Sequence, residues 1–312
     1  PTRSLSTSLA GQFSGLISVQ RSGEPGYDNA EFWIRGVSSF AGGTNPLVLV
    51  DGVPREMNDI EPDEIETFTL LKDASATSIY GSEGANGVVL ITSKRGREQK
   101  PSISYRGEVG VLTPIRIPRF ANSYDFLTLY NERLTNDGDA KYIDDVELEK
   151  YRTGEDPDLY PSVDWWGTLM AKHTSNTRHT LNFRGGGERM RYFVSGAYFA
   201  ESGLFKQNNE YNNNAGLKRY NLRSNIDINV TPPTFLRVDL SGQYLTTNYP
   251  SSSTSGLLSN FVQVPPHVIP AVYSDGTLSR SSDTWVQPYN ELMESGYRKE
   301  WRTGLQSKVE LE

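Results

Sequence analysis

Arg219-Tyr220-Asn221-Leu222-Arg223-Ser224-Asn225-Ile226-Asp227-Ile228-Asn229-Val230 is the clearest strand in the sequence. Tyr220, Leu222, Ile226, Ile228 and Val230 alternate with Arg219, Asn221, Arg223, Asn225, Asp227 and Asn229. A period of two describes a β-strand with one apolar and one polar face.

The pattern recurs outward from this strand. Residues 236–245 set Leu236, Val238, Leu240 and Tyr244 against Arg237, Asp239, Ser241 and Gln243. Residues 302–312 set Leu305, Val309 and Leu311 against Gln306, Lys308, Glu310 and Glu312. Upstream, 103–112 place Ile103, Tyr105, Val109 and Val111 opposite Ser104, Arg106 and Glu108, and 179–184 alternate Leu181 and Phe183 with Thr180, Asn182 and Arg184. Residues 191–200 are apolar on both faces, Tyr192, Val194 and Tyr198 against Phe193 and Phe199, which leaves their facing open.

Strands of about ten residues with this alternation suit a tilted membrane-barrel strand, apolar to lipid and polar to the lumen. A soluble antiparallel sandwich is the alternative, but its strands are typically about 5–6 residues. The connections also alternate: 113–178 is long, 185–189 short, 201–218 medium, Thr231-Pro232-Pro233-Thr234 short, and 246–301 long. Outer-membrane barrels have this asymmetry of short periplasmic turns and longer outside loops. Tyr105, Phe183, Tyr192 and Phe235 are expected near the short-turn end, and Tyr198, Tyr220, Tyr244 and Trp301 near the long-loop end, as two interfacial girdles require. About six strands cannot close such a barrel, since the smallest has about eight. The chain opens at Pro1 without Met or an apolar leader and ends at Glu312 inside an alternating segment, so it is expected to be an internal piece of a longer protein.

Composition narrows the function classes. Hydrophobic residues are 36% of the 312, and no run approaches the roughly 18–20 apolar residues of a membrane helix. Aromatics at 11% argue against disorder. Cysteine is absent, which removes disulfides and thiolate chemistry. The net charge of -7 argues against a nucleic-acid partner.

Residues 8–100 read as a small mixed domain. Leu16–Gln20, Phe32–Val37, Leu47–Val50, Ile65–Leu71 and Val88–Ser93 are strand candidates, with Asp51-Gly52 as a turn. Asp73 has the chemistry of a helix N-cap for residues 74–80, with Gly81 as a left-handed stop. The run Gly81-Ser82-Glu83-Gly84-Ala85-Asn86-Gly87 is not a phosphate loop. Such loops follow a strand and open a helix, and here the order is helix, glycines, strand.

Leu70-Leu71-Lys72-Asp73-Ala74-Ser75-Ala76-Thr77-Ser78-Ile79-Tyr80-Gly81, continuing through Ala85-Asn86-Gly87-Val88-Val89-Leu90-Ile91-Thr92, resembles the plug signature of TonB-linked outer-membrane transporters of the SusC/RagA type. Ser22-Gly23-Glu24-Pro25-Gly26, Ile34-Arg35-Gly36-Val37-Ser38-Ser39 and Val50-Asp51-Gly52-Val53-Pro54 match as well. The resemblance covers residues 9–96 and continues more weakly through the strands. Ser78 stands where the family often has Ala, and Glu83 where a basic residue is common. It implies a mixed α/β plug domain over residues 1–100, followed over 101–312 by the first about six antiparallel transmembrane strands, with long extracellular loops, of a barrel of about 22, the size that holds a plug. Asp51, Gly52, Lys72, Asp73, Tyr80, Gly81, Asn86 and Gly87 are its structural signature.

The same resemblance implies TonB-dependent import of an oligosaccharide or peptide across the outer membrane. Its implied partners are a TonB complex pulling on a segment upstream of Pro1, a SusD-like surface lipoprotein and the surrounding outer-membrane lipid. Two alternatives are a signalling receptor of the same fold and a soluble β-rich carbohydrate-binding module or enzyme. The Gly-rich polar loop with Ser38, Ser39, Phe40 and Asn45 is the candidate ligand contact. Arg106, Arg184, Arg223, Asp227, Arg237 and Asp239 are expected to solvate the lumen and seat the plug.

Chemistry beyond this is sparse. Asp144-Asp145 suits a helix start, and Asp156/Asp158 a solvated loop, better than a glycosidase pair. Asn136-Asp137-Gly138-Asp139 has calcium-type oxygen donors, for a structural ion in an outside loop, but lacks the glycine and terminal Glu of an EF-hand. His173 and His179 read as interfacial or loop residues, and 123–133 as a packed loop helix. Trp165-Trp166 can stack on sugar rings, although a packed loop or membrane-rim role is the commoner use. No catalytic, cofactor or metal residues are assigned.

Overall fold

The computed structural model describes residues 5–8, 16–20, 23–26, 30–34, 45–208, 210 and 215–312. The N-terminal part contains α1 (Leu5–Ser8), β1 (Leu16–Val19), β2 (Glu31–Ile34), β3 (Leu47–Val50), β4 (Val53–Pro54), β5 (Ile65–Leu71), α2 (Ala74–Thr77) and β6 (Val88–Ser93). β1 and β2 pair antiparallel, and a four-stranded sheet runs β4-β3-β6-β5. β3 and β6 are parallel, and their unbroken apolar runs suit strands covered on both faces. Val50, Val88 and Val89 are fully buried, with Ile34, Met57, Ile60 and Ile91 around them.

Local chemistry fixes two corners. Asp51 takes the left-handed turn position (φ 52), and its carboxylate accepts from the Ser93 amide at 2.9 Å and hydroxyl at 2.7 Å. Gly87 has φ 94, and a Cβ there would sit 2.6 Å from Ile34 Cδ1, so the turn into β6 requires glycine.

The expected helix over 74–80 is shorter. Only α2 is α-helical, and 3-10 turns continue over Ser78–Gly84. Gly81 breaks them with φ 59 and ψ -145, a conformation outside the left-handed helical stop expected of it. Asp73 stands at the N-cap position with extended backbone, without a side-chain capping bond. The Ser78 hydroxyl donates to the Ser75 carbonyl, a local bond that competes with longer helix.

The rest of the chain builds one six-stranded antiparallel sheet in sequence order. It comprises β7 (Gln99–Leu112), β8 (Thr174–Gly186), β9 (Met190–Ser202), β10 (Gly216–Thr231), β11 (Thr234–Pro250) and β12 (Tyr297–Leu311). The strands run 13 to 17 residues, longer than the alternation alone marked, because pairing continues past the apolar band toward the long connections. Those connections carry α3 (Ser123–Asp137), α4 (Asp145–Thr153), α5 (Trp165–Leu169), α6 (Thr254–Gln263) and α7 (Pro288–Met293). No described helix is long and apolar enough to cross a membrane, which leaves crossing by strands open.

The polar faces of β8–β12 turn inward onto the N-terminal part, and the apolar faces turn out. The ambiguous strand is resolved: Phe193 and Phe199 are buried on the inner face, and Tyr192, Val194 and Tyr198 point out. The register puts Phe199 on the inner face opposite Arg178 and Arg219, whose guanidiniums lie over its ring at 5.2 and 5.4 Å. Two girdle assignments change. Tyr105 leans over Gly107 and bonds His179 Nδ1 at 2.7 Å, so it joins the row Tyr105, His179, Tyr198, Tyr220, Tyr244 toward the long connections. Phe235 lies on the inner face beneath Arg191 and Arg237.

Candidate functional site

From Arg219 to Asp227 the inner face of β10 presents a charged or amide group every second residue, and the N-terminal part answers each of these five. Arg219 binds Glu61 at 3.1 Å, with Arg178 of β8 at 3.0 Å on the same carboxylate. Arg223 donates to Glu64 at 2.7 Å and approaches Asp51 at 3.5 Å. Asn221 donates to the Asp59 carbonyl, and Asn225 to Ser93 Oγ at 2.7 Å and to the Lys94 carbonyl at 2.8 Å. At the far end the polarity reverses: Arg95 of the inner part reaches Asp227 at 2.8 Å and Asp239 at 2.5 Å. Arg184 donates to the Arg95 carbonyl, Arg302 to Asp59 and Lys308 to the Asp51 carbonyl. Arg106 reaches Asp63 at 3.3 Å, and Arg237 pairs with Glu310 on the neighbouring strand.

Burial decides what this seam does. Glu61 and Glu64 are 1% and 2% exposed. Burial pushes the Glu64 carboxyl above its ordinary range against the pull of Arg223, and likewise raises Asp59 against Arg302. A buried pair adds little net stability over apolar packing, yet removing one partner costs about 3–5 kcal/mol. The seam therefore fixes position more than it adds adhesion.

A second feature lies at the long connections. Trp165 and Leu169 of α5, Leu257 and Phe261 of α6, Leu292 and Met293 of α7, and Phe205 form one buried core. Ser253 caps α6, and the fully buried Gln287 side chain donates to the Ala271 carbonyl and Ser279 hydroxyl. Beside this core is a mainly apolar hollow of about 350 Å³, lined by Trp166, Leu204, Phe205 and Leu258 on one side and by Gly23, Glu24 and Pro25 on the other. Thr254 Oγ1 donates to Glu24 at 2.5 Å across it.

Ser38, Ser39 and Phe40 lie outside the described residues, and Asn45 is exposed at the bend before β3. Lys72 follows β5, Asp73 and Gly81 are exposed, and Tyr80 and Asn86 are half-buried around the 3-10 turns. Glu83 is exposed. Trp165 is buried in the loop core, so Trp166 alone of that pair borders the hollow. Residues 136–139 close α3: the Gly138 amide bonds the Leu134 and Thr135 carbonyls. No group of three or more acidic, His or Cys side chains placed to hold a metal occurs among the described residues. Asp144 caps α4, and Asp158 accepts from the Ser274 amide and hydroxyl, so these carboxylates organise loops. Sequence reasoning missed Glu61, Glu64, Arg178, Arg219 and Arg302 as seam residues. The acidic run Glu61-Pro62-Asp63-Glu64 is the one local signal that could have pointed to them.

Residues 1–88 match the TonB-dependent Receptor Plug Domain family model. TonB-dependent receptor P3 of Formosa agariphila is 32% identical over 234 residues, covering 74% of this chain and 20% of that protein. TonB-dependent receptor SusC of Bacteroides thetaiotaomicron is 31% identical over 212 residues, covering 64% of this chain and 19% of that protein. The chain thus spans about a fifth of the curated relatives' length. The structure of the RagAB peptide transporter superposes with a TM-score of 0.74 at 21% identity, over 93% of this chain and 35% of that one, a likeness of fold.

Proposed function

We propose that this chain, which belongs to the TonB-dependent receptors of the SusC/RagA type, supplies the plug and adjoining barrel wall of an outer-membrane importer. Its cargo is an oligosaccharide or peptide too large for a porin. The observation that carries this reading is the buried seam. Glu61 and Glu64 of the plug are held by Arg178, Arg219 and Arg223 of the wall, a joint that fixes position.

A barrel closed by such a plug conducts nothing until the plug moves. Force transmitted from a TonB complex through a segment preceding Pro1 would break the seam from below. Cargo would first be held above it, in the hollow where Trp166 and Phe205 offer flat apolar faces and Glu24 and Thr254 offer polar groups. A SusD-like surface lipoprotein would cover that side. No step makes or breaks a covalent bond, so the reading is transport rather than catalysis.

Deleting the gene that carries this chain should abolish growth on one polymeric glycan or peptide mixture while leaving growth on its monomers intact. Loss of TonB should reproduce the defect, and a surface lipoprotein should co-purify with the receptor. Undiminished growth on every polymer the organism uses would contradict the proposal.

A further inference from the structure

His267 stands where two long connections meet. It lies between Val264 and Ile269, which pack into the core of α5, α6 and α7, while its own ring enters an aromatic cluster of the first connection. Phe126 of α3 stacks on the imidazole at 5.1 Å. Tyr142, in the turn between α3 and α4, and Tyr151 of α4 stand steeply across it at 6.1 and 6.3 Å. Tyr130 and Tyr160 back these rings. Asn131 holds the turn, accepting from the Tyr142 amide and donating to the Ile143 carbonyl, so α3 and α4 present the rings as one hairpin. Around the rings, the Val163 amide donates to the Pro266 carbonyl at 3.0 Å, and Ser274 occupies the Asp158 carboxylate. Nδ1 of His267 is buried without a hydrogen-bond partner among the described residues. The charged groups at the margin are Arg133 over the Tyr130 ring, Lys150 on the Tyr160 hydroxyl and Glu147 near Tyr151. Among the described residues none of them pairs with the imidazole, and burial holds it below the ordinary histidine range.

We infer that His267 is a pH-sensitive latch: neutral, it seats the α3–α4 hairpin on the second long connection, and protonated, it releases the hairpin. The inference rests on the barrel reading above, which puts both connections outside the cell, in the pH of the medium. α5 stays anchored in its core, so the hairpin alone is freed. Release returns the imidazole to water and to its ordinary value of about 6.5. Below that value the released form takes the proton before the docked form does, so docking weakens by up to about tenfold per pH unit. Above it both forms are neutral, and docking does not depend on pH. A ring face attracts a cation, but Phe126 alone stacks on the imidazole, and no carboxylate completes the pair.

The test is hydrogen exchange of the intact receptor in nanodiscs at about pH 7.5 and about pH 5.5, corrected for the intrinsic rate at each pH. Wild-type α3 and α4 should exchange up to about tenfold faster in the acid sample, while β9 and β10 stay unchanged. His267→Phe keeps a stacking ring that cannot charge, and its hairpin should exchange equally at both pH values. His173→Gln removes an exposed histidine of the same connection and should leave the wild-type response intact. A wild type without acid response, slower exchange in acid, or an acid response that survives His267→Phe would each overturn the latch. The gene-deletion growth test reports separately on the proposed function. Its failure would defeat that function, whereas import with acid-insensitive exchange defeats only this inference.

Discussion

Arg223→Ala should loosen the plug by about 3–5 kcal/mol, the cost of stripping a buried charge of its partner. Arg223 is 2% exposed and serves both Glu64 and Asp51. Without it Glu64 stays enclosed, and its carboxyl, already raised by burial, would take up a proton rather than remain charged. Hydrogen exchange in β3 and β6 should accelerate, and large antibiotics excluded by the wild type should enter cells. The double variant Arg223→Met/Glu64→Met should recover most of the loss, because it removes both charges together. A single variant with wild-type exchange would show that the seam does not hold the plug.

Gly96→Ala should displace the link between plug and wall by about 3 kcal/mol, the upper part of the range for overpacking. A Cβ at Gly96 would fall onto the backbone of Arg191 and Tyr192. That backbone belongs to β9, which is paired on both edges and cannot retreat. The displacement would also pull Arg95 away from Asp227 and Asp239. Gly196→Ala on the same strand is the control. No atom lies within 4 Å of its Cβ position, so its effect should stay within about 0.5 kcal/mol. The readout is denaturant-induced plug release, and equal midpoints for the two variants would refute the close approach.

The strands were legible where a local rule governs them. Arg219 to Val230 alternates because a sheet with one wet and one dry face demands it, and that period needs no distant partner. The ends of the strands were not legible, because pairing above the apolar band depends on the neighbouring strand rather than on hydropathy. The facing of β9, apolar on both sides, was set by its pairing register with β8 and β10, which places Phe199 opposite Arg178 and Arg219. Tyr105 was misplaced because its ring leans along the strand, over a glycine, into the next row. Arg223 was legible as a lumen charge, but its partner lies 159 residues away, and no local pattern encodes such a pairing. Trp165 and Trp166 are chemically identical neighbours, and only the packing of α5 against α6 and α7 decides which one borders the hollow.

On the proposed function, the plug must leave the wall for cargo to pass. Ser93 Oγ and Asn225 Nδ2 touch across the seam at 2.7 Å, and the chain has no other cysteine to compete. Import by Ser93→Cys/Asn225→Cys, measured oxidised and then reduced, tests the claim most directly. The oxidised receptor should fold and bind its cargo but import none, and dithiothreitol should restore import to the level of the single-cysteine controls. Import by the fully oxidised receptor at the reduced rate would contradict it.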